Sequence, residues 1–343
     1  MTNPIKIGIV GLGRAGWGMH CNELENKKDK FQIVAACDLE PDRLENMKTR
    51  YSCKTYSNIA DLIADPEVEL VDIATRSIDH FKHAEMALKA GKYVQLEKPM
   101  CTSYEQALAL KQLSGSKEKP KLFIRHNRRF EGEFNQVKEI IASGILGNVF
   151  MIKLYRYGYS HRDDWQTLKE FCGGMSLNWG PHIVDHALQF LDYDIECSFY
   201  DVKLTTACGD ADDHLKLVFR NKKGLTVDLE ITSGTATSAP EYQVYGDRGS
   251  LISDSGFFKL HYLDPNFPLE VRTPHRETPG SWFSTPEKLT WIDENIPFKA
   301  ADMTAIWISL YEAIREGKDF PISIDQAVAV IKVLHDAKKS NGF

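Results

Sequence analysis

The sequence predicts an α/β chain: a doubly wound parallel sheet at the N-terminus, then an α+β domain with an open, mainly antiparallel sheet. Three observations carry this expectation. Residues 5–125 alternate short apolar runs with helical stretches of roughly ten residues, the pattern of parallel βαβ units. Beyond residue 130 the runs take on period two and are separated by glycine turns, as antiparallel strands do. The length of 343 residues allows two domains at about 100–200 residues each. The expected domains are residues 1–125 and 126–343.

Composition narrows the class of protein. Apolar residues make up 43% and charged residues 26%, ordinary for a chain with a sizeable core. A net charge of −6 argues against nucleic acid as a partner, since no basic stretch neutralises several phosphates. The basic cluster "RHNRRF" reads as a strand end. Seven cysteines, odd in number and without a C-x-x-C pair, predict a reducing compartment and neither disulfide framework nor metal site. No leader pattern opens the sequence, and no apolar run approaches the roughly 20 residues that span a bilayer. A cytoplasmic chain without membrane contact is expected.

The first strand, "IKIGIVG", runs into Gly11-Leu12-Gly13-Arg14-Ala15-Gly16. Gly11 permits a tight turn, Gly13 lets backbone N–H groups approach a pyrophosphate, and Gly16 lets the next helix pack close. That helix N-terminus offers free N–H donors to the phosphates. The second strand, "FQIVAACD", ends at Asp38, 22 residues past Gly16, where a carboxylate accepts from the adenosine ribose. Together these predict a Rossmann dinucleotide site. An acid at 38 repels a 2′-phosphate, so NAD is favoured over NADP. Arg43 either softens that preference or is a surface helix residue.

The alternation continues through strand "CKTY", helix "SNIADLIAD", strand "VELVDIATR" and helix "HFKHAEMALKAG". Strand "KYVQLEKP", helix "SYEQALALKQLS", a turn at 115–121 and strand "KLFIRHNRRF" complete the first domain. Ligands of a doubly wound sheet bind outside the carboxyl ends of its strands. Lys98 of "EKP" therefore points toward the nicotinamide position, unless it only pairs with Glu97. Pro99 allows either isomer.

In the second domain, "FNQVKEIIASG" reads as a helix. "LGNVFMIKLYRYG", "SFYDVKLTTA", "DHLKLVFR", "GLTVDLEITSG" and "EYQVYGDRGSLISD" read as strands, and six prolines mark 264–300 as an irregular excursion. "DMTAIWISLYEAIREG" and "SIDQAVAVIKVLHDAKKS" are closing amphipathic helices. In "CGGMSLNWGPHIVDHALQFL", Val184, Leu188 and Leu191 form an apolar stripe, and Pro181 suits the first turn. His182 then lies in that first turn, with Asp185 and His186 one turn on. On spacing alone His182 is equally a satisfied buried histidine.

Nearly the whole chain resembles the Gfo/Idh/MocA family of nicotinamide-dependent oxidoreductases, on "GLGRAG", "HAEMALKAGKYVQLEKP", "HNRRF", "GG" followed by "NWGPHIVD", and "YGDRGSL". The resemblance implies Lys98 beside nicotinamide and substrate, and His182 as catalytic base. It also implies cofactor contacts from Arg14, Ala15, Thr75, Arg76, His80, Glu97 and Asn127. Two positions depart from the family pattern. Asn178 stands where the family's D-x-G-x-H has its aspartate, removing a charge that would raise the histidine's pKa. "ATRS" at 74–77 replaces the usual proline and asparagine of the cofactor-facing loop.

These residues imply oxidation of a secondary alcohol: His182 takes the hydroxyl proton, Lys98 stabilises the alkoxide, and Asn178 orients the hydroxyl. The stretch "YRYGYSHRDDWQTLKEF" carries side chains suited to a sugar, with Arg162, Asp164 and Trp165 as first contacts beside Asp185. A charged surface loop over Trp165 is the competing reading. The expected substrate is a sugar, sugar derivative or cyclitol. A lyase or glycosidase recycling NAD would use the same acid–base set, and a dinucleotide or sugar sensor would keep the fold. A homodimer or homotetramer is implied by the resemblance.

Overall fold

The apolar runs of the first 125 residues form a six-stranded sheet. Its strands are β1 (Ile5–Val10), β2 (Phe31–Cys37), β3 (Lys54–Tyr56), β4 (Leu70–Ile73), β5 (Tyr93–Glu97) and β8 (Leu122–Arg125). The order is β3-β2-β1-β4-β5-β8 and every pair is parallel. The computed structural model describes residues 3–116, 119–274, 276–277 and 287–343.

β4 is buried along its whole length, as a parallel strand covered on both faces must be. The covering helices include α1 (Asn22–Leu24), which follows a π-wound turn Gly16–Cys21, and α2 (Pro41–Tyr51). α3 (Ile59–Ala64), α4 (His80–Lys89) and α5 (Tyr104–Leu113) complete the set. Local chemistry sets their starts: Pro41 opens α2, and the side chains of Asn58 and Ser103 accept N–H bonds at the starts of α3 and α5. The sheet runs from β1 to β2 on one side and to β4 on the other. Its switch point therefore opens between the carboxyl ends of β1 and β4.

The predicted turn at 115–121 is a small hairpin, β6 (Gly115–Ser116) with β7 (Lys119–Pro120); residues 117–118 lie outside the described residues. The strand read through "HNRRF" stops at Arg125. A tight 3₁₀ turn, Asn127–Phe130, follows and carries the chain out of the sheet.

The second sheet has order β10-β11-β12-β9-β13-β14-β15-β16. Its strands are β9 (Val149–Tyr157), β10 (Cys197–Lys203), β11 (His214–Arg220), β12 (Thr226–Thr232), β13 (Tyr242–Gly246), β14 (Gly249–Asp254), β15 (Phe257–Leu263) and β16 (Trp291–Pro297). β9 and β12 pair in parallel and the other described pairs are antiparallel. β16 corrects the expectation of an irregular 264–300, part of which lies outside the described residues. It is a mostly exposed edge strand holding Ile292 and Ile296 against the core, so its apolar alternation is sparse.

Helices α6 (Gly132–Ala142), α7 (Met175–Asn178) and α8 (Gly180–Phe190) belong to this second layer. Of the closing helices α9 (Ala305–Arg315) and α10 (Ile324–Ser340), the second ties the two sheets together. Ile306, Trp307 and Leu310 of α9 are buried in the first core, as is Ile331 of α10. Val330, Val333 and Leu334 of the same α10 are buried in the second. One helix thus packs on both cores and holds the sheets in a fixed relation. Among the described residues no helix is long and apolar enough to cross a membrane, and no cluster of three or more metal-ligating side chains occurs.

Candidate active site

The glycine loop follows β1 and is shaped by contacts that exclude a side chain. Gly11 has φ +90°, and a Cβ there would meet the Ala74 carbonyl at 2.6 Å. A Cβ on Gly16 would meet the Gly11 carbonyl at 2.0 Å, so the following helix can pack only on glycine. Gly13 faces open space, the cradle a pyrophosphate needs. Arg14 beside it is exposed and Ala15 half-buried. Asp38, nearly buried, accepts from the Leu12 N–H at 2.6 Å and the Glu40 N–H at 3.0 Å. Arg43 lies 3.4 Å from its carboxylate. The loop and the strand-end acid fit a dinucleotide.

Lys98 directly follows β5, and the Lys98–Pro99 peptide is cis. Its ammonium donates to the backbone carbonyl of Asn178 at 3.0 Å and reaches Asn178 Oδ1 at 3.4 Å. Asn178 ends the short helix α7, where a carbonyl lacks an intrahelical donor, and a cation is the natural partner. Gly174 opens that helix with φ +111°, and its Cβ would meet Asp212 Oδ1 at 2.3 Å. Asp212 instead accepts from the Ser176 N–H and Oγ–H, both at 2.7 Å, which anchors the turn.

His182 stands one turn past Asn178, in the first turn of α8, and its side chain is buried. Nδ1 is buried without a partner among the described residues. Burial first, then the charges of Lys98 and Arg128, hold its pKa well below the ordinary value, so the imidazole is neutral. Burial likewise lowers the Lys98 pKa; Glu97 opposes this, and Arg14, Arg128 and Arg162 add to it.

Several residues expected at the cofactor or substrate hold partners within the chain. Glu97 Oε1 bonds His20 Nε2 at 3.0 Å and forms an ion pair with Arg125 Nε at 3.0 Å, and its Oε2 accepts the Lys98 N–H. His80 is buried, with Nδ1 on the Pro99 carbonyl at 2.7 Å and Nε2 3.2 Å from the Thr75 carbonyl. It joins the two strand-end loops. Thr75 Oγ1 sits 3.2 Å from His83 Nδ1. Asp185, expected at the substrate, is buried in a two-pronged ion pair with Arg129 at 2.6 and 2.7 Å. Asn127 is buried at the start of the turn after β8.

The loop 158–172 is bound to its own domain, with the Ser160 N–H on the Ser233 carbonyl and the Cys208 N–H on the Arg162 carbonyl. Arg162 pairs with Asp164 at 2.6 Å, and Asp164 caps the turn Trp165–Thr167. Arg76, expected on the cofactor, crosses to this loop. Its guanidinium lies 4.5 Å from the Phe171 ring and 5.9 Å from Trp165.

Sequence reading missed two groups. Arg128, inside the "HNRRF" read as a strand end, lies 4.2 Å over the Trp179 ring, whose centre is 6.0 Å from that of the His182 ring. His20, four residues past Gly16, bonds Asp72 at 2.7 Å as well as Glu97. A polar residue on the buried side of that helix was the available signal.

A glycine-loop sheet carrying Lys98 at a strand end, joined to a second layer carrying Asn178 and His182, defines a dinucleotide-binding oxidoreductase. Residues 5–126 match the family described as "Oxidoreductase family, NAD-binding Rossmann fold", and residues 134–252 match the "GFO/IDH/MocA C-terminal domain". The chain belongs to the Gfo/Idh/MocA family. It is 27% identical over 353 residues to scyllo-inositol 2-dehydrogenase (NADP(+)) IolW of Bacillus subtilis, spanning 99% of this chain and 94% of that one. It is 32% identical over 165 residues to an inositol 2-dehydrogenase of Salmonella paratyphi B, covering 48% and 49% of the two chains. The solved structure of yvaA from Bacillus subtilis shares the fold at TM-score 0.83 and 22% identity, over 100% and 97% of the chains.

Proposed function

We propose that the protein is an NAD(P)-dependent dehydrogenase that oxidises a secondary alcohol of a sugar, sugar derivative or cyclitol. The observation that carries this reading is the meeting of the Lys98 ammonium with Asn178, one turn before a neutral histidine. The inositol dehydrogenases among its relatives support a polyol substrate.

A bound nicotinamide supplies the hydride acceptor. Gly13 and Arg14 would hold its pyrophosphate, Asp38 its adenosine ribose and Asn127 its nicotinamide end. Asp38 favours NAD, and Arg43 beside it tempers the repulsion of a 2′-phosphate. His182 accepts the hydroxyl proton, a step worth about 10²–10⁴-fold. Its depressed pKa keeps it unprotonated at neutral pH. Lys98 stabilises the developing alkoxide in a site with little water, where a charge acts more strongly. The Asn178 amide orients the hydroxyl, and Arg162 and Trp165 line the approach.

The experiment is a screen of neutral, acidic, amino and nucleotide-linked sugars and of cyclitols, with NAD and NADP in parallel. Growth of reduced-cofactor absorbance in proportion to substrate is the expected result. Product without net reduced cofactor, or cofactor binding without any turnover, would reject the reading.

A further inference from the structure

We infer that the substrate bears an anionic group, a carboxylate or a phosphate, received between Lys98 and the Arg128–Trp179 pair. This deepens the dehydrogenase reading and rests on it.

The argument starts from the carboxylates around the site. Glu97 is turned inward on His20 and Arg125. Asp185 is locked to Arg129, and Asp164 is held by Arg162 and by the turn it caps. Glu131 is shared by Arg128 and Arg156, and Glu241 pairs with Arg156. The remaining position, 178, is an asparagine whose carbonyl and amide oxygens already take the Lys98 ammonium. No uncommitted carboxylate is left among these groups to answer Lys98.

The cations converge instead. The guanidinium groups of Arg128 and Arg156 lie 4.2 and 5.1 Å from the centre of the Trp179 ring, and the centre of the buried His182 ring is 6.0 Å from it. Arg128 and Arg156 share Glu131 and Arg156 also pairs with Glu241, so with Lys98 three cations meet two glutamates, and guanidinium groups with five N–H donors each keep some unused. Arg128 is mostly shielded from water, so burial followed by repulsion from Arg156 draws its pKa down to about 10. A cationic, partly dry site with unspent donors discriminates against neutral polyols and favours planar or tetrahedral anions.

The test uses the cofactor-loaded full chain and three probes: D-glucose, D-glucuronate and D-glucose 6-phosphate. Calorimetric affinity and kcat/KM are measured for each. One anionic probe is expected to bind about tenfold to a hundredfold tighter than glucose, with a preference that shrinks as salt rises. The better anion identifies carboxylate or phosphate as the group received. Arg128→Gln combined with Glu131→Gln, which leaves no unpaired glutamate, is expected to remove most of the preference. Arg162→Gln is expected to weaken it less. Glucose binding as tightly as both anions, or a preference untouched in both variants, overturns the inference. The dehydrogenase reading fails separately, if the anion binds but no alcohol reduces either cofactor.

Discussion

The ammonium of Lys98 donates to the backbone carbonyl of Asn178 at 3.0 Å, across a separation of 80 residues. That bond joins the end of β5 in the first sheet to the helix break before α8 in the second. The geometry is held from below by Glu97, which accepts the Lys98 N–H, and from the side by α10, which packs in both cores. A reacting group from each layer can thus stay in register without depending on one flexible loop.

The substitution Asn178→Asp would place a carboxylate where Oδ1 now stands, 3.4 Å from the Lys98 ammonium. An opposite charge at that range favours the protonated forms of Lys98 and His182, moving pKa values by about one unit or more. The acid limb of the kcat/KM profile is expected to move to higher pH by that amount. An unmoved limb in the Asn178→Asp variant would separate His182 from this charge.

In the unaltered protein the imidazole of His182 is held neutral by burial and by the nearby Lys98 and Arg128. Its folded pKa lies well below the ordinary 6.5, so the base form persists as pH falls through that value. kcat/KM is expected to stay level from about pH 7.5 down through the ordinary histidine value near 6.5. His182→Ala is expected to lower it about 10²–10⁴-fold. A profile that halves near that ordinary value would contradict the assigned environment.

Much of this was legible in the sequence because it is local. The glycine loop, the strand-end Asp38, the E-K-P break and the Pro181 helix start are each set by a few adjacent residues with particular backbone needs. The polar partners were not legible, since ion pairs form between segments whose separation carries no periodic signal. Glu97 and His20 are 77 residues apart, and nothing beside either announces the other. Asp185 looked like a site residue because it sits one turn from His182; only the fold shows Arg129 arriving from the turn after β8. β16 escaped because an edge strand needs only one shallow apolar face.

The Arg129–Asp185 pair predicts a stability effect without a matching catalytic one. Arg129 also donates to the Pro321 carbonyl, Gln326 Oε1 and the Tyr193 hydroxyl. Asp185→Asn leaves that buried guanidinium without its counter-charge, at a cost of about 3–5 kcal/mol. The urea midpoint is expected to fall accordingly, while turnover per folded molecule changes little. A large loss of kcat with an unchanged midpoint would return Asp185 to the substrate.

The His20–Glu97 contact beneath Lys98 predicts how stability depends on pH. Burial disfavours the charged imidazole, but the Asp72 carboxylate at 2.7 Å and Glu97 at 3.0 Å outweigh it, and the His20 pKa rises to about 9. Glu97 is opposed by its own burial, yet His20 and Arg125 bring it down to about 2. A raised histidine binds its proton more tightly when folded, so its contribution is complete below pH 6.5 and disappears as pH climbs through about 9. A lowered carboxylate behaves oppositely, contributing fully above about 4.5 and losing its effect as pH falls toward 2. Because the two groups bond each other, both limbs report one contact broken from either side. Unfolding free energy from urea titrations is expected to drop by a few kcal/mol between about pH 6.5 and 9.5. His20→Gln is expected to be less stable at the lower end of that interval and to show a flattened alkaline limb. A wild-type curve level across that interval would mean that His20 is neutral in the folded protein, and that Arg125 alone balances Glu97.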